Sequence, residues 1–140
     1  MNDELNELRE TFFAYLLKRP CTRKQAHEYL LRQNIDEHAI NSLIDEAESS
    51  GLIDDLVFAK LFAEGHLSWG NMKIAYELSM RGISREDINT VLDEIEDETA
   101  RANEIVNSLR AMKVDNRKIT SRLKNRGFTN RSIRSALKDE

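Results

Sequence analysis

The chain has 140 residues, enough for one ordinary domain or a short array of small ones. It contains one proline and five glycines, and it is rich in helix-forming residues, a composition that favours helices joined by short turns. The single cysteine, Cys21, excludes an intramolecular disulfide. No apolar run approaches the roughly 18 residues of a membrane span, and the acidic, polar start does not resemble a signal peptide. We therefore expect a cytoplasmic protein with no membrane partner.

The net charge of −4 is unevenly distributed along the chain. Residues 1–53 carry a net charge of −4, residues 54–97 carry −6 and residues 98–140 carry +6. Chain segments of opposite sign are typical of proteins that present one end to a charged partner. The basic C-terminal third is therefore expected to meet a negative surface, either phosphate or a carboxylate-rich protein.

The elements predicted in chain order are all helices. Apolar residues spaced three and four apart predict a first helix at Leu5–Lys18, a fourth at Leu56–Leu67 and a seventh at Thr99–Met112. The other predicted helices follow residues that commonly cap a helix N-terminus. These predicted caps are Thr22 for the second helix, Asp36 for the third, Asp54 or Asp55 for the fourth, Ser84 for the sixth, Asp115 for the eighth and Thr129 for the ninth.

An internal repeat organises these helices. Segments 26–35, 74–83 and 119–128 align without gaps, with starting positions 48 and 45 residues apart. Apolar residues recur at offsets 0, 4, 9, 14 and 18, and offset 8 holds Asn34, Gly82 or Gly127. That position is where a left-handed residue would end one helix before the next begins. We predict three three-helix repeats at 1–53, 54–97 and 98–140, forming an elongated, curved all-α array.

Basic side chains of the third repeat are the predicted partner-binding or DNA-binding residues. On the eighth helix, Lys118, Arg122 and Arg126 are spaced by four, and on the ninth, Arg131, Arg134 and Lys138 follow at i, i+3 and i+7. Each series flanks apolar positions, so both helices would present a basic stripe. A merely solvated charged face is the alternative. The complete predicted set is Arg117, Lys118, Arg122, Lys124, Arg126, Arg131, Arg134, Lys138 and Trp69.

Trp69 is included because aromatic residues are enriched at binding hot spots, although packing within the repeat is the alternative. Asp54 and Asp55 could pair as catalytic carboxylates, but adjacent acids at a helix start more often act as caps. The three histidines lack metal-type spacing, and no glycine-rich loop is suited to a phosphate. We therefore expect neither a cofactor nor a bound metal, and we do not expect an enzyme.

Three sequence patterns together resemble the RecX family. They are Gly51-Leu-Ile-Asp54-Asp55-x-x-Phe58-Ala59-x-x-Phe62, then Gly70-x-x-x-Ile74-x-x-Glu77-Leu78-x-x-x-Gly82-Ile83, and Arg122-Leu-Lys-Asn-Arg-Gly127-Phe128. The resemblance covers most of the chain, and it departs from the family pattern at Asn34, where glycine is usual. It implies a small regulator that binds the RecA–DNA filament and suppresses its ATPase and strand-exchange activities. We expect the protein to be a monomer.

Two other classes of function remain to be compared with this one. Two helices separated by a glycine turn also describe a helix-turn-helix module, so a direct DNA-binding protein is the alternative, with the third repeat as the reader. A hydrolase or nuclease would need a metal cluster or a nucleophile–base pair, and the sequence offers no candidates for either.

Overall fold

The computed structural model describes residues 3–138, and the regular secondary structure within this range is all α-helix. The described residues form nine helices, which confirms the predicted fold class. They are α1 (Asp3–Lys18), α2 (Arg23–Leu31), α3 (Glu37–Ser49), α4 (Asp55–Glu64), α5 (Asn71–Met80), α6 (Arg85–Glu94), α7 (Glu98–Ala111), α8 (Asn116–Asn125) and α9 (Asn130–Lys138).

The helices begin where the capping residues predict. Thr22 forms a complete capping box with Gln25, and the side chains of Asp36, Ser84 and Asp115 each accept a backbone N–H three residues ahead. Asp54 rather than Asp55 caps α4, because its carboxylate accepts the N–H of Val57 at 3.1 Å. Thr129 caps α9 through the N–H of Ser132 at 3.2 Å. Asp97 caps α7, a position for which no cap was predicted.

The turn at offset 8 has the predicted left-handed backbone in all three copies. The φ angles are 59° at Asn34, 90° at Gly82 and 89° at Gly127. Glycine adopts this conformation without the steric cost that a Cβ imposes, and asparagine tolerates it better than most other residues. The residue after each glycine turn, Ile83 or Phe128, is buried.

The fourth helix ends earlier than predicted, at Glu64 instead of Leu67. Gly65 follows it, and its N–H bonds to the carbonyls of Leu61 and Phe62 at 3.1 and 3.2 Å. Bonds to the third residue back tighten the last turn of a helix and stop its propagation. The chain then continues through a short turn to Gly70.

The described residues separate into two compact units. The N-terminal unit contains the described residues up to Phe58 together with Arg81–Ile83, and its core includes Phe12, Leu30 and Ile44. The C-terminal unit contains Ala59–Met80 and the described residues from Ser84 onward. Val106, Ile119, Leu123 and Phe128 are part of its core. The repeat boundaries at 53/54 and 97/98 remain predictions.

Candidate partner-binding surface

Helix α8 directs its basic residues away from the core. Ile119 and Leu123 are completely buried, and they fix which face of the helix packs inward. The opposite faces carry exposed cations at Arg117, Lys118, Arg122 and Lys124. The predicted basic stripe on α8 is therefore accessible to a partner at these four positions.

Helix α9 extends the same surface. Ile133 and Ala136 face the core, whereas Arg131, Arg134 and Lys138 are exposed. The side chains of Lys124 and Arg134 line one shallow concavity between α8 and α9, together with Thr120, Asn130, Ile133 and Leu137. The fold thus brings cations from two helices to one place, as the sequence pattern predicts.

Arg126 differs from the other predicted cations because it is half-buried. It is the C-terminal capping residue of α8, and its carbonyl accepts the N–H of Gly70 at 2.8 Å. A Cβ on Gly70 would lie only 2.2 Å from the backbone N of Phe128, so the two segments touch backbone to backbone. The backbone at Arg126 therefore has a structural role, whatever its side chain contacts.

Within residues 3–138, none of the eight predicted cations forms a salt bridge with a carboxylate. In the N-terminal compact unit, by contrast, Arg9 pairs with Glu46, and Arg23 pairs with Asp45 and Glu48. Cations that lack an internal partner remain available to phosphates or to carboxylates of another molecule. The basic surface, defined as Arg117, Lys118, Arg122, Lys124, Arg131, Arg134 and Lys138, is the candidate site.

Trp69 is half-buried within the C-terminal unit. Its ring centroid lies 4.1 Å from that of His66, and the Lys73 ammonium sits over the ring at 4.3 Å from its centroid. Its backbone carbonyl accepts a hydrogen bond from Arg101. These contacts favour the packing interpretation of Trp69, and a role in binding a partner remains a prediction.

A buried Glu98–Arg101 network was not predicted. Glu98 is 8% exposed and Arg101 is 2% exposed. Arg101 donates to the carbonyls of Leu67 and Trp69 and to the Asn71 side chain. Burial lowers the pKa of Arg101, and the nearby Glu98 carboxylate opposes that shift. The only sequence signal was an acid and a base three residues apart, which is commonplace on exposed helices.

The Glu98 carboxylate caps the starts of two other helices. It accepts the N–H of Asn71, the first residue of α5, at 2.8 Å. It also accepts the hydroxyls of Thr129 at 2.9 Å and Ser132 at 2.7 Å, at the start of α9. A negative charge is favourable at helix N-termini, so this one side chain holds α5 and α9 to the first turn of α7. Glu98 thereby positions α9, which carries Arg131, Arg134 and Lys138 of the candidate surface.

Asp55 does the same in the N-terminal unit, with a single partner. Its carboxylate accepts the N–H of Arg23, the first residue of α2, at 2.8 Å. Asp54 and Asp55 are therefore both occupied by helix starts, as the capping interpretation predicts. In the described part of the chain, no group of three or more His, Cys, Asp or Glu side chains is arranged to hold a metal ion.

Among residues 3–138, no helix is both long enough and apolar enough to cross a bilayer.

Comparison with known proteins identifies the family. The family model described as RecX, second three-helix domain, matches residues 54–92. A regulatory protein RecX from Chlorobium phaeobacteroides is 30% identical over 127 residues, which cover 86% of this chain and 84% of that protein. The regulatory protein RecX of Listeria monocytogenes serotype 4a is 27% identical over 133 residues, covering 87% of this chain but 49% of that protein. The chain thus spans about half the length of the Listeria relative.

The crystal structure of RecX from Lactobacillus salivarius has the same fold. It superposes with a TM-score of 0.86 at 21% sequence identity, covering 99% of this chain and 97% of that one. Similarity at this identity establishes the arrangement of helices, and the Chlorobium relative establishes the kinship. The chain therefore belongs to the RecX family of regulatory proteins.

Proposed function

We propose that this protein binds the RecA recombinase on DNA and restrains its ATP hydrolysis and strand exchange. The observation that carries the proposal is the basic surface, whose seven exposed cations have no salt-bridge partner within residues 3–138. Membership of a family of regulatory proteins is consistent with action through binding rather than catalysis. A RecA filament combines phosphates and protein, so it offers the negative surface that these cations require.

Two structural features support occupation of a partner rather than chemistry on one. The concavity between α8 and α9 is shallow, and Lys124 and Arg134 at its edge are solvated. Cations in this setting attract and orient a polyanion, but they supply neither a nucleophile nor a poised acid–base pair. The mechanism that fits is competitive: the bound protein occupies surface that the filament needs for its conformational cycle.

The test is DNA-dependent ATP hydrolysis by RecA, measured while this protein is titrated in. We expect inhibition by the wild type and at least about tenfold weaker inhibition by the variant Arg122/Arg131/Arg134→Glu, because three attractive contacts become repulsive. Arg126 is left intact, since it is half-buried beside Gly70. RecA activity that stays unchanged at saturating protein would falsify the proposal.

The matched control is Arg19/Arg32/Arg85→Glu, which changes the net charge by the same amount at three exposed positions outside α8 and α9. We expect this control to inhibit nearly as well as the wild type. Equal loss in both variants would show that only total charge matters, and it would remove the special role of the basic surface. Circular dichroism of each variant checks that helical content is retained.

Direct DNA binding is the second candidate function, because the basic surface lies on two helices joined by a glycine turn. Binding to naked duplex DNA would weaken steeply with salt, with log K falling about 0.9 per phosphate contact for each unit of log salt. A salt titration with and without RecA separates the two. Tight, strongly salt-dependent binding to DNA alone favours the second candidate, and binding that requires RecA favours the first.

A further inference from the structure

Helix α5 presents an apolar stripe to solvent. Met72, Tyr76 and Met80 are spaced by four, so they follow one face of the helix. Their exposed fractions are 61%, 61% and 56%. On the inward face, Ile74 and Leu78 are completely buried and already anchor the helix to its core. The apolar stripe, defined as Met72, Tyr76 and Met80, therefore lies on the face of α5 opposite these buried residues.

The other two repeats provide an internal comparison. The equivalent positions in α2 are Lys24, Glu28 and Arg32, and in α8 they are Arg117, Ser121 and Asn125. All six of these side chains are exposed and polar, and both helices bury the same core positions as α5 does. The same three-helix framework thus folds with a polar surface at this place. The stripe is specific to the second repeat.

A second apolar position distinguishes the same repeat. Leu61 on α4 is 67% exposed, whereas Glu104, which lies as far beyond the capping Asp97 of α7 as Leu61 lies beyond Asp54, is an exposed acid. Exposed apolar groups that cluster in one repeat of three indicate an interaction surface rather than scattered surface residues. Methionine adapts to irregular surfaces, and tyrosine is enriched among the residues that dominate binding energy.

Charge and area restrict the occupant of the stripe. Residues 54–97 carry a net charge of −6, which repels both the phosphates of DNA and the same segment of a second copy. The stripe exposes roughly 350 Å², well below the about 800 Å² that each partner buries in a standard stable interface. It therefore suits the apolar centre of a larger contact with a different protein. The occupant that fits is a protein with an apolar recess bordered by neutral or basic residues.

The basic surface lies in the same compact unit, which contains Ala59–Met80 and the described residues from Ser84 onward. One partner made of both protein and nucleic acid can engage the two surfaces together, and linked contacts strengthen each other. We propose that the apolar stripe docks on the RecA subunit itself, while the basic surface meets the negative component of the filament. This inference rests on the proposed function and assigns its protein contact.

The test exchanges the stripe for the residues that the first repeat carries at the same positions. The variant Met72→Lys/Tyr76→Glu leaves the net charge unchanged and uses good helix formers at exposed sites. We expect inhibition of the RecA ATPase to need at least about tenfold more of this variant than of wild type. The control Leu17→Lys/Met112→Glu makes the same kind of change at two positions that are 71% and 70% exposed, and it should inhibit like wild type.

Four results would overturn the docking assignment. Wild-type inhibition with an equally potent stripe variant shows that the stripe is not in the contact, although the proposed function stands. Weaker binding of the variant to naked DNA assigns the stripe to nucleic acid. A wild-type dimer in sedimentation that becomes a monomer in the variant assigns it to a second copy. If wild type itself has no effect on RecA, the proposed function and the docking assignment are both wrong.

Discussion

The helix pairs α2–α3 and α8–α9 bury equivalent core positions, but they differ in how the charges on their surfaces are paired. Leu30 and Leu123 occupy the same repeat position, and both are completely buried. Around α2 and α3, however, Arg23 and His27 pair with carboxylates, whereas the basic surface on α8 and α9 has no such pairs within residues 3–138. The buried positions that both pairs share are those that the fold requires. The cations without an internal salt bridge mark the surface that is available to a binding partner.

The largest expected difference between the first and third repeats concerns the free energy of unfolding after substitution of the left-handed residue at offset 8. A Cβ on Gly127 would lie 2.4 Å from the Lys73 Cβ and 2.6 Å from its backbone N, at a φ of 89°. We expect Gly127→Ala to lower the free energy of unfolding by about 4 kcal/mol or more. Asn34→Gly at the same repeat position should change it by less than about 0.5 kcal/mol, because Asn34 is exposed and glycine accepts its φ of 59°. Urea denaturation followed by circular dichroism measures both, and a Gly127→Ala midpoint equal to wild type would contradict the steric account.

An intermediate loss of stability is expected when either of the two carboxylates that cap a helix of the preceding repeat is replaced by its amide. Glu98 accepts from two backbone N–H groups and two hydroxyls, three of these four bonds at 2.9 Å or less. We expect Glu98→Gln to cost about 3 kcal/mol, since the amide turns an N–H₂ toward donors. Asp55→Asn, which affects one N–H at Arg23, should cost about 1 kcal/mol. Amide hydrogen exchange at Asn71 and Arg23 locates each loss, and equal costs for the two variants would show that the extra bonds of Glu98 contribute nothing.

The smallest expected effect concerns the ion pair of the N-terminal unit. The hydrogen bond from Arg9 lowers the pKa of the Glu46 carboxyl below its usual range. A depressed acid pKa means that the pair's stabilisation is present above the unfolded pKa of about 4.3 and is lost as pH falls through the folded value. Arg9→Gln should move the Glu46 titration, followed by NMR, to higher pH. Arg122→Gln on the basic surface should leave it in place, and a Glu46 titration unaffected by Arg9→Gln would disprove the pairing.

The sequence predicted the helices well because apolar spacing, caps and left-handed turns all pointed to the same boundaries. Each is a local signal: Thr22, Asp36 and Asp115 sit next to the helices that they cap. The outward direction of the α8 and α9 cations followed from the same periodicity. Because apolar spacing, capping residues and turn residues agreed, the all-α architecture could be predicted from a single sequence.

The sequence did not reveal interactions that depend on residues far apart in the chain. Glu98 and Arg101 resemble an ordinary exposed pair, and their burial is decided by where Asn71 and Thr129 lie in space. Arg126 fits the basic stripe by spacing, yet it is half-buried and its backbone carbonyl accepts the N–H of Gly70. The spacing of apolar residues predicts which face of a helix is buried, but it does not predict which distant segment of the chain packs against that helix.

The capping of α5 by Glu98 also has a consequence for the order of events during synthesis. The first residue of α5 is made 27 residues before the carboxylate that completes it, and Arg23 of α2 waits 32 residues for Asp55. At about 5–20 residues per second, this interval lasts between about one and six seconds on the ribosome. During that time the first N–H of each of these two helices lacks its carboxylate partner and bonds to water instead. The first and second three-helix segments are therefore each completed by a residue of the segment translated after them, so these two mature one segment behind chain elongation.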